Sequence, residues 1–347
     1  MWKKTAIAAM TALLLTACSS DNETTETNDN TAENNTEQNE TANQDTNEES
    51  AEAPYQYPLT GFGTEEEAEQ RAVAVVVNNH PKARPQSGLN KADIIHEVLA
   101  EGDITRLVAV FQSEQPEKVG PVRSARDYFI ELAEGYDSFF VAHGYSPEAK
   151  EMLTSGVIDN INGMEYDGSL FKRADFRVAP HNSYITFENI EKGAEKVGAE
   201  MDTPPEPLDF VKKEEVSGDE ASSVEVSYYG NPSFSPVYEY DQKAKKYSRM
   251  SGGEKTADYE SGDPVLLDNI FIIEAPHKII DDYGRRSIDF ESGGNAYLLQ
   301  RGKLLKVQWE NKNGRIVPAG DASFIPGKTW INIIPENPGL EEFVTVQ

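Results

Sequence analysis

Two short stretches of the chain carry cationic and imidazole side chains to points where a turn or strand leads into a helix. They are residues 120–129 (GPVRSARDYF) and residues 139–147 (FFVAHGYSP), and they contain Arg123, Arg126 and His143. Guanidinium groups and the free backbone N–H groups of a helix start suit carboxylate or phosphate oxygens. The pattern therefore predicts an anion-binding site. Structural ion pairs with neighbouring carboxylates, and a histidine packed beneath its loop, are the alternatives.

A third stretch, residues 171–184 (FKRADFRVAPHNSY), interleaves basic and aromatic side chains. Arg177, His181 and Asn182 are its candidate binding residues. Arginine supplies positive charge, an aromatic ring can stack on a sugar ring, and asparagine can form hydrogen bonds with hydroxyl groups. The combination predicts a sugar-phosphate or glycan-type ligand, while a rigid loop with its arginines in salt bridges explains the same composition.

Glu97 is a candidate general acid or base, and His143 is the second candidate for that role. Residues 92–112 read as a β-hairpin. If residues 102–103 form its two-residue loop, Glu97 lies diagonally from Arg106 on one face of the sheet. A carboxylate among apolar neighbours is suited to proton transfer. A strand-surface ion pair with Arg106 is the alternative reading.

A buried strand and several capped helices must position these residues. Residues 72–77 (AVAVVV) form a continuous apolar run, which predicts a strand buried on both faces. It ends at Asn78, and α/β folds bind ligands beyond the ends of such strands. A turn with asparagine in the left-handed conformation is the alternative. Ser124 is predicted to cap one helix. Ser146 is predicted to cap the next, with a proline at its first position.

The second half of the chain is predicted to be β-rich. A proline-rich break at residues 202–207 (DTPPEP) separates it from the first half. The predicted fold class is α+β or α/β. Residues 58–205 form a mixed α/β domain, and residues 206–347 form a β-rich domain that includes a hairpin over residues 235–250.

The N-terminus predicts export and lipidation. Two lysines precede an apolar run over residues 6–15, and Leu-Thr-Ala-Cys ends at Cys18, the chain's single cysteine. Residues 1–17 therefore read as a signal peptide. The ending resembles the lipobox of bacterial lipoproteins, which implies a lipid on Cys18 and a membrane anchor. An ordinary signal peptide with an incidental cysteine is the alternative.

The segment after Cys18 is predicted to be a disordered acidic tether over residues 18–57. Between residues 19 and 53 there are eleven Asp and Glu residues and no Lys or Arg. So few apolar residues cannot form a core. The whole chain has a net charge of −28, which argues against general nucleic-acid binding. One cysteine excludes an intramolecular disulfide. No cofactor is predicted. No metal site is predicted either, because the histidines lack ligand spacing, but the four histidines before the domain boundary leave a metal site as an open alternative.

Three motifs together resemble the YerB-like family of Gram-positive bacterial lipoproteins. They are residues 119–126 (VGPVRSAR), 179–182 (APHN) and 327–330 (GKTW), and the likeness extends from about residue 58 to 346. The resemblance implies a lipoprotein with two domains, of which the second is β-rich. It implies no activity and supplies no catalytic residues.

The sequence therefore predicts a lipid-anchored protein on the outer face of the cytoplasmic membrane. Its first domain is predicted to bind a cell-wall glycan or another anionic polymer of the envelope. An enzyme acting on an envelope polymer is the first alternative, with Glu97 or His143 as acid or base and the arginines stabilising developing anionic charge. A scaffold whose β-rich domain docks a membrane protein partner is the second.

Overall fold

The computed structural model of the chain describes residues 53–211 and 216–347. The predicted signal peptide, the lipidation site Cys18 and the tether up to residue 52 lie outside the described residues. The end of the predicted tether is ordered, because strand Tyr55–Gln56 pairs with Gly63–Thr64. Within the described ranges, no helix has the length and apolar character needed to cross a bilayer.

The first half of the described chain alternates short strands and short helices. Its strands are β1 (Tyr55–Gln56), β2 (Gly63–Thr64), β3 (Val73–Asn78), β4 (Ile94–Glu101), β5 (Ile104–Phe111), β6 (Lys118–Val119), β7 (Phe139–Ala142), β8 (Asn160–Asn162), β9 (Phe171–Arg173) and β10 (Ser183–Thr186). Its α-helices are α1 (Asp127–Glu134), α2 (Pro147–Ser155), α3 (Gly163–Tyr166) and α4 (Phe187–Val197). This half therefore has the mixed composition that the sequence predicts.

The second half is almost entirely β-structure, as predicted. Its strands are β11 (Asp219–Glu220), β12 (Ser223–Val226), β13 (Pro236–Asp241), β14 (Lys246–Ser251), β15 (Glu254–Lys255), β16 (Leu266–Leu267), β17 (Asn269–Ala275), β18 (His277–Ile279), β19 (Arg286–Ile288), β20 (Gly294–Gln300), β21 (Lys303–Lys312), β22 (Arg315–Pro318), β23 (Thr329–Pro335) and β24 (Val344–Val346). A short helix, α5 (Leu340–Phe343), precedes the last strand. The predicted hairpin over residues 235–250 is formed by β13 and β14.

One eleven-stranded sheet runs through both halves. Its main path is β11-β21-β20-β17-β23-β4-β5-β3-β7-β8, and β22 pairs with β21. The two halves meet where β23 pairs in parallel with β17 on one side and β4 on the other. The predicted boundary near residue 205 therefore separates two segments that share a sheet. The assignment of residues 58–205 and 206–347 to two domains stays a prediction.

The central sheet is covered on both faces, which explains the unbroken apolar run of β3. Val75 and Val77 contribute to the core on one face, together with Tyr238 of a separate six-stranded sheet. Val76 contributes to the core on the opposite face, where Phe129 of α1 packs. Because both sides of β3 are buried, its residues gain apolar contacts whichever way they point.

Three parallel strands end at one edge of this sheet. β3 pairs in parallel with β7, and β7 pairs in parallel with β8. Their carboxyl ends bring Asn78, His143 and Asn162 to the same edge. The amide of Asn162 accepts the backbone N–H of Gly144 at 2.9 Å and thereby fixes the turn after His143. This edge is where α/β folds form ligand sites.

The β4–β5 hairpin has the predicted loop but a different register. Glu101 pairs with Ile104, so residues 102–103 do form the loop. A β-bulge between Leu99 and Glu101 then shifts the pairing by one residue, so that Glu97 pairs with Leu107. Because a one-residue shift moves side chains to the other face, the prediction that Glu97 and Arg106 share a face is wrong.

One of the two predicted helix caps at the site is confirmed. The side chain of Ser146 accepts the backbone N–H of Ala149 and caps α2. The prediction for Ser124 is wrong, because α1 begins two residues later with Arg126 at the N-cap position. The Ser124 hydroxyl instead donates to the carbonyl oxygen of His143 at 3.2 Å. It therefore links the two stretches around which the site is built.

Candidate anion-binding site

Backbone hydrogen bonds hold Arg123 between the ends of β3 and β7. Its N–H donates to the carbonyl oxygen of Val76 at 2.8 Å, and its own carbonyl oxygen accepts the N–H of His143 at 2.9 Å. The preceding residue, Val122, forms an isolated antiparallel bridge with Val77. The Cα atom of Arg123 is therefore fixed at the edge where the parallel strands end.

The side chain of Arg123 is partly buried and unpaired. Within the described residues, its guanidinium group has neither a hydrogen-bond acceptor nor a carboxylate within 4.0 Å. Burial and, to a smaller extent, the positive charge of Arg106 together lower the pKa of Arg123 to about 10. The group keeps its charge at neutral pH, so the edge carries a cation that no carboxylate of residues 53–211 or 216–347 neutralises by direct contact.

Two imidazole rings stack beside Arg123. The ring centroids of His80 and His181 are 4.6 Å apart. The Nδ1 atom of His80 accepts the backbone N–H of Lys82 at 3.1 Å. The Nδ1 atom of His181 accepts the side-chain amide of Asn78 at 2.9 Å. Because both Nδ1 atoms are acceptors, the proton of each neutral ring lies on Nε2.

The orientation of the Asn78 amide supports this assignment. Its Oδ1 atom accepts the backbone N–H of His80 at 3.0 Å, so its NH₂ group faces His181. Burial lowers the pKa of both histidines, and the charge of Arg123 lowers both further. Neither Nε2 atom has a hydrogen-bond partner among the described residues. Two neutral N–H donors therefore remain available at the edge.

His143 is held by its neighbours on both ring nitrogens. Its Nε2 atom lies 2.9 Å from a terminal nitrogen of Arg173, which can only donate. Its Nδ1 atom must then carry the proton and donate to the hydroxyl of Ser183 at 2.7 Å. Burial lowers the pKa of His143, and the charge of Arg173 adds to that shift. In this arrangement His143 has no lone pair available for a substrate proton.

The loop that carries His181 is fastened to the loop that carries His80. Arg177 donates to the carbonyl oxygens of Ala83 and Pro85. Its guanidinium carbon lies 5.3 Å from the centroid of the Tyr259 ring, which stacks on Phe176 at 4.6 Å. Arg177 therefore positions the two loops, and an exposed aromatic pair lies beside it.

Asn182 is engaged within its own loop. Its side-chain oxygen accepts a hydrogen bond from Arg173 at 3.3 Å, and its NH₂ group donates to the carbonyl oxygen of Ala174 at 3.3 Å. Arg173 also pairs with the carboxylate of Asp167 at 2.9 Å. The structure thus places Asn182 near His143 but gives it a role in holding Arg173.

Three of the four described arginines without a described carboxylate within 4.0 Å lie at this edge, and the fourth, Arg286, donates to the carbonyl oxygen of Gly102 elsewhere. Of the twelve arginines in the described residues, eight lie within 4.0 Å of a carboxylate oxygen. Arg84 instead donates to the carbonyl oxygens of Asn79 and Ser233 at 2.6 and 2.7 Å. The edge carries four cations that form no salt bridge with a described residue: Lys82, Arg84, Arg123 and Arg177. In so acidic a chain, this concentration creates a local positive field.

Arg126 does not join this group. It is buried and forms an ion pair with Glu101. The same carboxylate accepts two hydrogen bonds from Arg106, each at 3.0 Å. Burial lowers the pKa of Arg126. The chain therefore separates the two predicted arginines, one bound internally to Glu101 and one left unpaired at the edge.

Glu97 belongs to a buried polar network. One of its carboxylate oxygens accepts hydrogen bonds from Asn79 at 3.0 Å and Thr105 at 2.9 Å. The other accepts from Arg249 at 2.8 Å and Trp330 at 3.1 Å. Burial lowers the pKa of Arg249, but the charges and hydrogen bonds of Glu97 and Tyr238 together raise it by more, so the net shift is upward. The carboxylate is therefore fully engaged in joining the two halves of the chain.

Sequence reasoning missed His80 as a site residue. It lies two residues beyond the end of β3, in the sequence Asn-Asn-His-Pro. The signal was available, because polar residues directly after a buried strand mark the ligand edge of an α/β sheet. Its stacking on His181 could not be predicted from the sequence, since the two residues are 101 positions apart in the chain.

Other surface features lie away from this edge. Cavities of about 420 Å³ and 270 Å³ are lined by residues of the second half and the linker before it, and by none of the predicted site residues. The β18–β19 hairpin exposes Ile279 and Tyr283, which are 66% and 83% accessible. The scaffold alternative requires such an apolar surface, and it stays a hypothesis. In the part of the chain that the structure describes, no three His, Cys, Asp or Glu residues group closely enough for a metal ion.

Comparison with known proteins places this architecture in a family. A family model described as the N-terminal domain of a protein of unknown function (DUF3048) matches residues 59–200, and the model of its C-terminal domain matches residues 224–331. A curated relative, "Putative lipoprotein YerB" of Bacillus subtilis (strain 168), is 54% identical over 284 residues. The alignment covers 80% of this chain and 86% of the relative. The chain belongs to the DUF3048 family.

A solved structure of this DUF3048 family has the same fold. The crystal structure of YerB protein from Bacillus subtilis superposes with a TM-score of 0.79 at 51% sequence identity, and it covers 84% of this chain and 99% of that chain. The resemblance to YerB-like proteins is confirmed. The edge around Arg123 lies within the N-terminal DUF3048 region, whereas Arg249 and Trp330 of the Glu97 network lie within the C-terminal region.

Proposed function

We propose that this DUF3048 protein is a lipid-anchored extracytoplasmic lipoprotein that binds an anionic or glycan-type ligand of the cell envelope. The anchor is a lipid on Cys18, at the outer face of the cytoplasmic membrane. The lipobox-like ending of residues 15–18 and the name of the Bacillus subtilis relative support the anchor. The ligand binds at the edge around Arg123.

The unpaired guanidinium of Arg123 is the observation that carries the binding proposal. A partly buried cation without a counter-ion is unfavourable, and the nearby charge of Arg106 adds repulsion. None of the carboxylates in residues 53–211 and 216–347 lies within 4.0 Å of this guanidinium, although the chain is strongly acidic. A bound anion would remove the repulsion and satisfy the donors of the guanidinium.

The other side chains around Arg123 divide into binding and positioning roles. His80 and His181 offer N–H donors beside Arg123. Arg177 and His143 hold the loops that carry His80 and Arg173 in place, and Asn182 accepts a hydrogen bond that orients Arg173. The stacked rings beside Arg177 suit a sugar face next to an anionic group. The acid–base roles predicted for Glu97 and His143 find no support in their hydrogen bonds.

Thermal unfolding of the full chain in detergent solution tests ligand binding. The ligands are cell-wall glycan fragments, phosphate-containing polymers, nucleotides and neutral sugars. A bound ligand at about a hundredfold excess over its Kd stabilises the native state by about 2.7 kcal/mol, which raises the melting temperature. Arg123→Ala should remove that rise, and Lys306→Ala, which removes an exposed cation elsewhere, should retain it. Equal rises in both variants would refute this site.

The anchor is tested separately by fractionation of cells that express the wild-type chain or Cys18→Ser. The wild-type chain should sediment with membranes, and the variant should be released in soluble form, because a single thiol carries the whole lipid attachment. Membrane association that survives the substitution would contradict the proposed anchor.

A further inference from the structure

The edge around Arg123 presents hydrogen-bond donors without acceptors. A guanidinium group has five N–H donors and no acceptor. The only acceptor nitrogens of His80 and His181 are already used by Lys82 and Asn78. Sugar hydroxyls both donate and accept, so a neutral sugar would leave its donors unsatisfied here. The donor set instead matches an oxyanion.

The three donor side chains Arg123, His80 and His181 together carry a single positive charge. Protonation of either ring would place a new N–H on Nδ1 against the N–H that already donates to it. The charged groups that face His80 are Lys82, Arg84 and Arg123, and those that face His181 are Arg123, Lys82 and Arg177. All of them are cations, which oppose ring protonation. The two rings therefore stay neutral, and only Arg123 contributes a full charge.

We propose that this edge recognises a phosphodiester group. The proposal rests on the proposed function and names the ligand class of the same site. A phosphodiester carries one negative charge, which matches Arg123, and its tetrahedral phosphorus points its two free oxygens in different directions. In the proposed complex, one oxygen accepts from the guanidinium of Arg123 and the other accepts from the ring N–H groups of His80 and His181. A planar carboxylate pairs side by side with one guanidinium and leaves the rings without an acceptor.

The outer cations extend the site along the edge. Lys82, Arg84 and Arg177 have no carboxylate partner among the described residues and surround the central donors. Each lies where the next phosphate of a chain of diesters would be attracted rather than repelled. We therefore expect a phosphodiester oligomer to bind more tightly than an isolated diester, with an affinity that falls as salt is added.

Calorimetric titration of the full chain tests the ligand class. The probes are glycerophosphoglycerol as a diester, glycerol 3-phosphate as a monoester and glucuronate as a carboxylate. The diester should bind most tightly, and Arg123→Ala should weaken it by about tenfold or more, in line with the loss of a charge-assisted bond. Lys306→Ala should bind as wild type. A soluble glycerol-phosphodiester oligomer and phosphatidylglycerol vesicles carry the same group, so comparing them separates a free polymer from a lipid headgroup as its source.

A matched pair of substitutions tests the role of the ring N–H. His181→Gln can present an amide N–H near the position of Nε2, whereas His181→Asn keeps a polar group near Nδ1 and loses the outward donor. The diester should therefore bind more tightly to His181→Gln than to His181→Asn. Its affinity for wild type should change by less than about threefold between about pH 6.5 and 8.5, since no histidine has to gain a proton.

The outcomes separate this inference from the broader proposal. If no anion binds, the proposed function itself fails. If the carboxylate or the monoester binds more tightly than the diester, anion binding stands and the ligand class is wrong. An affinity that falls about tenfold for each pH unit above 6.5 would mean that a protonated histidine is required, which also overturns the inference.

Discussion

Two charged clusters lie beside strand β3, and they differ in whether their charged groups have partners inside the protein. Around Glu97 and Arg249, which are 0% and 1% accessible, each carboxylate oxygen accepts two hydrogen bonds inside the protein. Around Arg123, a cation and two neutral N–H donors have no partner among the described residues. The contrast indicates a division of roles: the paired charges join the two halves of the chain, and the unpaired donors remain for a ligand.

Glu97→Gln should give the largest loss of stability. The substitution removes the buried negative charge opposite Arg249 and places an NH₂ group where the carboxylate oxygens accept hydrogen bonds from four donors. Removing one partner of a buried ion pair destabilises a protein by about 3–5 kcal/mol. Urea unfolding of wild type and variant measures the change in the free energy of unfolding.

A paired substitution controls for the loss of charge. Glu97→Gln combined with Arg249→Met removes both buried charges, and it should recover part of the stability that the single change loses. If Glu97→Gln alone changes the free energy of unfolding by less than about 1 kcal/mol, the network does not hold the two halves together, and the comparison fails.

Protonation of the unfolded state at His96 should lower stability in acid, by less than Glu97→Gln lowers it. Burial lowers the pKa of His96, whose Nε2 atom lies 3.1 Å from the hydroxyl of Tyr136, to about 3. Between about pH 6.5 and that value the unfolded state binds a proton that the native state does not. Stability therefore declines as pH falls, by about 1.4 kcal/mol per pH unit. Urea unfolding at pH 7 and pH 5 should show a loss about 2 kcal/mol smaller in His96→Gln than in wild type.

Urea unfolding at pH 7 and pH 5 also compares the buried His96 with His181 at the edge around Arg123. His181 is partly exposed, so its replacement should alter the acid slope less than replacement of His96 does. A wild-type slope in His96→Gln would show that His96 is protonated in the native state, contrary to its buried contact with Tyr136.

Arg123→Ala should change stability little. Its side chain makes no hydrogen bond or salt bridge with a described residue, and removing it relieves the repulsion from Arg106. We expect the free energy of unfolding to stay within about 1 kcal/mol of wild type or to rise. Arg126→Ala is the matched comparison, since it breaks the buried pair with Glu101 and should be clearly more destabilising. Equal losses in the two variants would mean that Arg123 is a structural residue.

Lys82→Ala should have the smallest effect. This exposed side chain forms no salt bridge with a described residue, so stability should stay within about 0.5 kcal/mol of wild type. The affinity for a phosphodiester oligomer should fall modestly, and its dependence on salt should weaken by about 0.7 in the slope of log K against log salt. Titration at several salt concentrations checks this, and an unchanged slope would exclude Lys82 from the outer part of the site.

The sequence was informative where local chemistry decides the structure. The apolar run of β3 and the cap at Ser146 follow from side-chain pattern and hydrogen-bonding type alone. The β-bulge after Leu99 was not foreseeable, because a single extra residue leaves the apolar alternation almost intact yet moves Glu97 away from Arg106. Only tertiary contacts could supply partners such as Arg249, which lies 152 residues from Glu97 in the chain.

The candidate site shows the same limit. Arg123 and His143 were predicted from turns next to helix starts, and the structure brings them to one edge. Arg126, three residues from Arg123, was predicted to share its role, but the helix starts there and the side chain is directed to Glu101. Which of two nearby arginines finds an internal carboxylate depends on the β4–β5 hairpin, and no local pattern encodes that choice.

The central claim is that Arg123 is left unpaired in order to bind an anion. Calorimetric titration of wild type and Arg123→Ala with the same glycerol-phosphodiester oligomer, at matched salt and pH, tests it most directly. We predict saturable binding to wild type and a loss of about tenfold or more in the variant, with both proteins equally folded. Equal affinity for the two proteins, or no binding to either, would contradict the account.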